Sequence, residues 1–156
     1  MTISIIVAIS KNNVIGKKNS ANGLPWDIKE DMIHFKKLTY GKPILMGKST
    51  FLAIGKPLKN RFNLVLSFND NLKDVYNVHS VKEAIKKAEE LGSELMICGG
   101  RLVYEQFLPL ADKMYLTLIE KDYKGDIYFP DFKKDEWKET FREDYPLFSF
   151  VNFEKI

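Results

Sequence analysis

Short aliphatic runs separated by turn-forming residues are the main hydrophobic pattern of the chain. Each run is rich in Ile, Val and Leu, is too short for a typical helix, and is bounded by Gly, Pro, Asn or Ser. These runs predict buried β-strands at residues 3–9, 43–46, 63–66, 75–78 and 94–98.

Helical periodicity appears between several of these strands. In residues 81–91, one stripe holds the apolar side chains Val81, Ala84, Ile85, Ala88 and Leu91. Ser80 and Glu83 have the spacing of a capping box at its start, and Gly92 is expected to end the helix in the left-handed conformation.

An earlier helix is predicted to begin near Asp27, with Glu30 three positions on, and to end before Gly41. A further helix is expected at residues 101–108. The spacing of the earlier helix directs four apolar side chains inward, namely Ile28, Met32, Phe35 and Leu38.

The alternation of strands and helices predicts an α/β fold in a single domain, residues 1–156. A mainly parallel sheet with helices on both faces and right-handed crossovers is expected. After Pro109 the pattern alternates at residues 114–119, 137–142 and 148–153. The C-terminal third should therefore be rich in strands and end in an antiparallel pair.

Composition narrows the function classes. Cys98 is the single cysteine, so no intrachain disulfide can form, and with only two histidines no metal site is expected. A net charge of +3, with the lysines dispersed among acids, favours small anionic ligands over nucleic acid. No apolar run approaches the roughly 20 residues of a transmembrane helix. A cytoplasmic protein is expected.

Asp31 interrupts the apolar stripe of the first predicted helix. It follows Ile28 by three positions and precedes Phe35 by four, which places its carboxylate on the apolar face. A buried carboxylate without a cationic partner has a raised pKa, so it can donate a proton or anchor a polar ligand. Alternatively, Asp31 interacts with the helix dipole and points to water. Helical geometry leaves both interpretations open.

The pair Gly99-Gly100 lies at a predicted strand-to-helix turn, where backbone N–H groups could approach a phosphate. A tight turn without a ligand is the alternative, since no complete dinucleotide or P-loop motif occurs. Residues 14–26 have no periodicity and are expected to form a long functional loop, such as a lid, or a surface excursion.

Other polar candidates are weaker. Arg61 could bind a carboxylate or be a solvated surface residue. Residues 48–50 could meet phosphate or cap a helix. His34 and His79 are expected to be exposed to solvent, and Cys98 to be a small core residue.

Ordered matches to one family run along essentially the whole chain. They are Ile6 and Ala8 in the first strand, Val14-Ile15-Gly16, Leu24-Pro25-Trp26 followed by Asp31, Phe35 and Lys36, Met46-Gly47-Lys48, residues 54–58, Arg61-Phe62-Asn63, Gly99-Gly100 with residues 104–107, Tyr115-Leu116-Thr117, and Gly125-Asp126 before Phe129-Pro130. In these residues the sequence resembles the dihydrofolate reductases of bacterial type.

The resemblance implies an eight-stranded, mainly parallel sheet with a C-terminal antiparallel strand and four flanking helices. It also implies reduction of 7,8-dihydrofolate to 5,6,7,8-tetrahydrofolate by hydride transfer from NADPH, in an enzyme expected to be a monomer. In such an enzyme the protein places two flat rings face to face and the cofactor supplies the hydride.

The resemblance assigns roles to residues at matching positions. Asp31 would hold the pterin by its 2-amino and N3 edge and promote protonation at N5, Thr117 would support that contact, and Tyr104 would border the path of the hydride. Substrate contacts are implied for Ile6, Ala8, Met32, Phe35, Ile54, Leu58 and Arg61, the last as the ligand of the glutamate α-carboxylate. Cofactor contacts are implied for Ala8, Ile15, Gly16, Gly47, Lys48, Ser49, Thr50, Leu66, Ser67, Cys98, Gly99, Gly100, Arg101 and Leu102.

The chain departs from the family pattern near the expected site of the cofactor 2′-phosphate. Arg101 replaces a usually small residue, and Phe68 stands where a small polar residue is common. Lys48 and Arg101 therefore remain as the cationic partners of that phosphate. The segment between Gly16 and Pro25 is also longer than in the commonest bacterial members.

Two other functions share some of these features. A reductase acting on a ribitylamino-pyrimidine would have the same architecture, but its substrate lacks the glutamate carboxylate that Arg61 would bind. A non-catalytic nucleotide-binding module would keep the phosphate turn without needing Asp31 and Thr117. Loss of NADPH absorbance on addition of dihydrofolate distinguishes the enzyme from the binding module.

Overall fold

The computed structural model describes residues 1–18 and 23–156. Four α-helices occur in these residues, α1 (Lys29–Thr39), α2 (Lys48–Ile54), α3 (Val81–Leu91) and α4 (Arg101–Phe107), with 3₁₀ turns at Leu108–Leu110 and Lys134–Glu136. The strands are β1 (Thr2–Ile9), β2 (Val14–Gly16), β3 (Pro43–Gly47), β4 (Phe62–Leu66), β5 (Tyr76–Val78), β6 (Glu94–Ile97), β7 (Lys113–Ile119), β8 (Ile127–Tyr128), β9 (Trp137–Asp144) and β10 (Phe148–Lys155).

Eight of the strands form one twisted sheet in the order β5-β4-β3-β6-β1-β7-β10-β9. All neighbours from β5 to β7 are parallel, whereas β10 is antiparallel to both β7 and β9. The predicted fold class, including the antiparallel C-terminal pair, is confirmed. Strands β2 and β8 form a separate antiparallel pair.

Both faces of the parallel sheet are covered by helices, which is why its strands are continuously aliphatic. On one face, Ala84 and Ala88 of α3 and Val103 and Phe107 of α4 pack in the largest apolar cluster. On the other face, Phe35 and Leu38 of α1 and Phe51 of α2 pack against Ile44, Met46 and Val65. Layers of helix, sheet and helix therefore enclose two parts of the core.

Helix α3 has the predicted bounds, but only one of the two hydrogen bonds of the predicted capping box forms at its N-terminus. The Ser80 hydroxyl accepts a hydrogen bond from the Glu83 N–H at 3.0 Å, but the Glu83 carboxylate accepts one from the N–H of His79. The predicted left-handed Gly92 is wrong, because its φ of 178° is extended. A Cβ there would lie 2.9 Å from Cδ of Pro43, so packing against β3 favours glycine.

Helix α1 begins later than predicted, at Lys29, and Asp27 does not cap it. Ile28 occupies the cap position with extended backbone, and its apolar side chain cannot make a cap hydrogen bond. Instead, this side chain packs against the apolar cluster that contains Trp26. Met32 was expected to be buried but is 46% exposed. The helix faces the sheet through Asp31, Phe35 and Leu38, and Met32 lies about 100° around the axis from Asp31.

The segment at residues 14–26 is not wholly irregular. Val14–Gly16 form β2, which is too short to show alternation, so the prediction of a loop there is wrong. Gly125 lies so close to Val14 and to the Gly16 carbonyl that no Cβ fits, which fixes the approach to β8. Residues 19–22 of the predicted lid lie outside the described residues. No helix in the described ranges could cross a membrane.

Candidate active site

The carboxyl ends of four parallel strands bring the candidate cofactor residues to one edge of the sheet. Strands β1, β3, β4 and β6 run in the same direction, so the residues that follow them share this edge. The Cys98 N–H donates to the Leu45 carbonyl at 2.8 Å, and the Gly47 N–H donates to the Gly99 carbonyl at 2.9 Å. The turns after β3 and β6 are therefore in direct contact.

Asp31 points inward, as one of the two interpretations predicted. Its Oδ1 accepts a hydrogen bond of 2.6 Å from the Thr117 hydroxyl. Thr117 is 4% exposed and is the register partner of Ala8 in β1. The bond thus joins α1 to the centre of the sheet, and the interpretation in which Asp31 points to water is wrong.

The surroundings of Asp31 favour its protonated form. Burial raises the pKa of the carboxyl, and the hydrogen bond from Thr117 lowers it by less. No Lys, Arg or His forms an ion pair with Asp31 among residues 1–18 and 23–156. The group therefore keeps its proton to a higher pH than an exposed carboxylate does.

Tyr104 links this region with the glycine turn. Its hydroxyl donates to the Ile6 carbonyl of β1 at 2.8 Å, and its ring borders Gly99. The side chain is 4% exposed, and burial, with smaller effects from Cys98 and Asp31, raises its pKa well above the usual value. Tyr104 is therefore a neutral hydrogen-bond donor and not a proton-accepting base.

The backbone of the Gly99-Gly100 turn is open to a close approach. Gly99 has a φ of 114°, which side chains other than hydrogen rarely allow, and the peptide between the two glycines is cis. A Cβ on Gly100 would lie 3.3 Å from the Thr50 hydroxyl oxygen. A phosphate in this cradle could receive backbone N–H and Thr50 hydroxyl donors, so the residues present fit the pyrophosphate of a dinucleotide.

The candidate cations for a 2′-phosphate are already engaged. Lys48 Nζ lies 2.9 Å from Oδ1 of Asp70 in the loop after β4. Arg101 pairs with Glu105 at 2.8 Å and donates to the carbonyl of Tyr128. A phosphate would have to compete with these carboxylates for both cations.

Arg61 is partly buried beside the C-terminal end of α1. Its Nε donates to the Thr39 hydroxyl at 3.1 Å, and its terminal nitrogens donate to the carbonyls of Lys59 and Lys36. Each terminal nitrogen carries a second N–H, and such a pair suits bidentate binding of a carboxylate.

Most of the predicted pterin-binding residues lie together. Ile6 is buried in one apolar cluster of the core. The partly buried side chains of Phe35, Ile54 and Leu58 pack against the same cluster. Met32 stands outside this cluster because of its exposure. Ala8 instead packs against the neighbouring cluster around Trp26, with Ile15 buried nearby in the core.

The remaining cofactor candidates differ in exposure. Gly16 is buried beside Gly23, and Leu66, Ser67 and Cys98 are partly buried at the ends of β4 and β6. Burial raises the pKa of the Cys98 thiol to about 12, so it is neutral. Ser49 and Leu102 are exposed, Leu102 to 71%.

Sequence reasoning missed three features of this region. The indole N–H of Trp26 is buried, with no hydrogen-bond partner in the described part of the chain. Asp70, which pairs with Lys48, lies in an irregular loop with no motif to mark it. His34 was expected to be exposed but is half-buried, and its position three residues after Asp31 was the available signal. His79 is exposed as predicted.

Two cavities of about 380 and 300 Å³ lie beside Arg61 and Phe62. Neither cavity is lined by Asp31 or Thr117, so these cavities do not contain the chemically distinctive residues. We place the site by the buried carboxylate, because volume alone supplies no chemistry. Within residues 1–18 and 23–156, no cluster of His, Cys, Asp or Glu could hold a metal ion.

Comparison with known proteins agrees with this geometry. The family model for dihydrofolate reductase matches residues 2–150. A dihydrofolate reductase from Buchnera aphidicola is 46% identical over 92% of this chain and 86% of its own, and one from Haemophilus influenzae is 41% identical over 92% and 88%.

The chain belongs to the dihydrofolate reductase family.

A solved structure extends the comparison to the fold. Dihydrofolate reductase from Enterococcus faecalis, complexed with NADP(H) and RAB-propyl, superimposes with a TM-score of 0.90 at 27% identity, covering 99% of this chain and 96% of that one. The family and the fold together identify an NADPH-dependent oxidoreductase that reduces 7,8-dihydrofolate to 5,6,7,8-tetrahydrofolate. The predicted family, activity and cofactor are confirmed.

Proposed function

We propose that Asp31 holds the pterin ring of dihydrofolate and promotes protonation at its N5. The observation that carries this role is the inward carboxylate bonded to Thr117 without an ion-pair partner in the described residues. Because burial raises its pKa, the carboxyl keeps a proton to a higher pH than an exposed carboxylate, as a proton donor requires. Its second oxygen is then available to the amino-pyrimidine edge of the ring.

The apolar cluster beside Asp31 would orient the substrate. Phe35, Ile54 and Leu58 offer apolar walls for the pterin and aminobenzoyl rings. Met32, exposed in this structure, would gain burial only when substrate lies against it. Arg61 would bind the α-carboxylate of the glutamate with its two terminal N–H groups.

The cofactor would lie along the carboxyl edge of the sheet. When bound, NADPH supplies the hydride that reduces C6 of the pterin. Gly99, Gly100 and Thr50 would hold its pyrophosphate, with Gly47, Ser49, Leu66 and Ser67 along the same edge. Ala8, Ile15, Gly16, Cys98 and Tyr104 would border the nicotinamide, and Lys48, Arg101 and Leu102 the outer end of the nucleotide.

The substitution Asp31→Asn tests this assignment. The amide keeps the size of the side chain and can still accept from Thr117, but it cannot carry the proton. We expect kcat to fall by about 10²–10⁴-fold, while the Kd for NADPH, measured by fluorescence titration, stays unchanged. Asp27→Asn, on an exposed residue of the preceding segment, is the control and should retain wild-type turnover. Wild-type turnover in Asp31→Asn would remove the residue from the mechanism.

We further infer that the chain acts as one domain, as a monomer and in the cytoplasm. The layers of helices on both sheet faces support a single folding unit, because each core cluster draws on strands from both halves of the chain. Sedimentation of the purified protein tests the monomer, and a dimer at micromolar concentration would contradict it.

A further inference from the structure

The ring of His34 on α1 is stacked on Phe150 of β10. The ring centroids are 3.8 Å apart, and the ring planes are 13° from parallel. Phe150 is 5% exposed and is held in turn by the rings of Tyr145 and Phe148. The stack therefore joins α1 to a well-packed part of the sheet.

The strand register connects this stack with the hydrogen bond of Asp31. Phe150 is the direct partner of Thr117 in the antiparallel β7–β10 pair. Thr117 in turn donates to Asp31. Asp31 and His34 are three positions apart and are therefore neighbours on the helix surface. Two neighbouring side chains of α1 thus contact two paired residues of the sheet.

The two ends of α1 are fixed differently. At the C-terminal end, Arg61 donates to the Thr39 hydroxyl and to the Lys36 carbonyl. At the N-terminal end, Ile28 makes no side-chain cap hydrogen bond. The orientation of the first turn consequently depends on the packing of Ile28, on the Thr117 hydrogen bond and on the stack one turn later.

We propose that His34 is a positioning residue, whose stack on Phe150 fixes the rotation of α1 and keeps Asp31 against Thr117 and away from water. This inference rests on the proposed role of Asp31. In this role His34 orients α1 and does not itself contact the substrate.

His34 does not act on Asp31 through its charge. Burial lowers the pKa of His34, Glu143 of β9 raises it and Lys37 of α1 lowers it further, so the ring is neutral at pH 7. Tyr145 donates its hydroxyl hydrogen bond to Glu143. Tyr104, which bears on Asp31 from α4, is neutral. Loss of the stack would therefore affect Asp31 by letting water reach its carboxylate, and not by changing a nearby charge.

Two substitutions of His34 separate stacking from other roles. His34→Ala removes the ring, whereas His34→Phe retains a flat ring that cannot titrate. In His34→Ala we expect kcat to fall about 3–10-fold, as for a lost orienting contact. Water reaching Asp31 would lower its pKa, so the alkaline decline of kcat/KM should move to lower pH by about half a unit. His34→Phe should keep both values near wild type.

Ile33→Ala is the matched control, because Ile33 is the neighbouring helix residue and is 57% exposed. Its pH profile should be that of the wild type, and the Kd for NADPH should be unchanged in all three variants. Melting temperatures measured in parallel show whether His34→Ala is folded.

Each contrary result has a distinct meaning. A destabilised His34→Ala with an unchanged pH profile would make the stack purely structural and overturn the inference. Equal losses in His34→Phe and His34→Ala would assign the effect to the imidazole nitrogens and also overturn it. If Asp31→Asn keeps wild-type turnover, the role of Asp31 and this inference both fail. If Asp31→Asn is inactive but His34→Ala behaves like wild type, this inference alone fails.

Discussion

Asp31 and Glu94 are partly buried carboxylates whose pKa values are shifted in opposite directions. Glu94 accepts hydrogen bonds from Lys42, Ser4 and Tyr115 at 2.7, 2.5 and 3.1 Å. Burial would raise its pKa, but these donors together lower it. Asp31 has Thr117 alone among the described donors, so burial prevails. The number of donors thus separates a structural carboxylate from one suited to proton transfer.

The pair of Lys48 and Asp70 leads to a prediction about cofactor choice. If Lys48 meets the 2′-phosphate, Asp70 competes for it and adds a nearby negative charge. We expect Asp70→Asn to tighten NADPH binding about 2–5-fold, in the range of an exposed ion pair, and to leave NADH binding unchanged. Fluorescence titration with both cofactors measures this ratio.

The control for that experiment is Glu136→Gln, which breaks the exposed pair with Lys155 far along the sequence. It should leave both Kd values unaltered. An equal change for NADPH and NADH in Asp70→Asn would show that Lys48 does not read the 2′-phosphate.

Elements with strong local signals were predictable from the sequence, and those fixed by tertiary contact were not. The stripe and capping residues of α3 gave its bounds, Val81–Leu91. The predicted start of α1 was wrong because Ile28 is extended and packs against the cluster that contains Trp26, which no local pattern reveals. Strands β2 and β8 have three and two residues, too few to alternate.

Residues of the site were likewise predictable where the local pattern marked them, and not where only tertiary contacts bring them together. Asp31 was recognisable because a charge on an apolar helix stripe is conspicuous. Thr117 was identified only through the family resemblance, since a threonine in an alternating strand has no distinctive local signal. Asp70 and the stack of His34 on Phe150 depend on chain segments that meet only in the folded protein.

The short β2–β8 pair allows a test at the scale of an element. Gly125 packs against Val14 and lies near the Gly16 carbonyl, where a Cβ would be 2.6 Å from the oxygen. Gly125→Ala should therefore displace β8 from β2 and disturb Ile15 and Gly16. We expect a loss of about 1–3 kcal/mol in the free energy of unfolding, as in other overpacked sites, and weaker NADPH binding.

Urea denaturation and cofactor titration measure the two effects in Gly125→Ala. Lys124→Ala, on the exposed neighbouring residue, is the control and should change neither quantity. If Gly125→Ala is destabilised but binds NADPH normally, β2 does not form part of the cofactor site.

At the scale of the whole molecule, catalysis and stability place opposite demands on the core. Helix α1 packs Asp31 against Thr117, the register partner of Ala8, and the resulting burial makes the ionised Asp31 unfavourable in the folded state. For Glu94 the ionised form is instead favoured in the folded state, because its hydrogen-bond donors on β1, β7 and the segment before β3 lower its pKa. Functional sites often carry such a cost in stability.

The pH dependence of stability should show both effects. For Asp31 the folded pKa lies above the unfolded value of about 3.8, so its contribution is favourable below that value and is lost as pH rises through the folded pKa. For Glu94 the folded pKa is lowered, so its contribution is present above the unfolded value of about 4.5 and is lost as pH falls through the folded pKa.

Asp31→Asn should therefore stabilise the protein at pH 7 while it abolishes most of the turnover. The amide never ionises, so we expect the melting temperature at pH 7 to rise above that of the wild type. The difference should disappear below pH 3.8, where Asp31 is protonated in both states.

Glu94→Gln provides the opposite case, because it should lower the melting temperature at pH 7 and have less effect in acid. Scanning calorimetry of both variants and the wild type between pH 3 and 8 measures these curves. A melting temperature of Asp31→Asn at or below the wild-type value at pH 7 would mean that ionised Asp31 is not destabilising, and the raised pKa would then have to be abandoned as the basis of its chemistry.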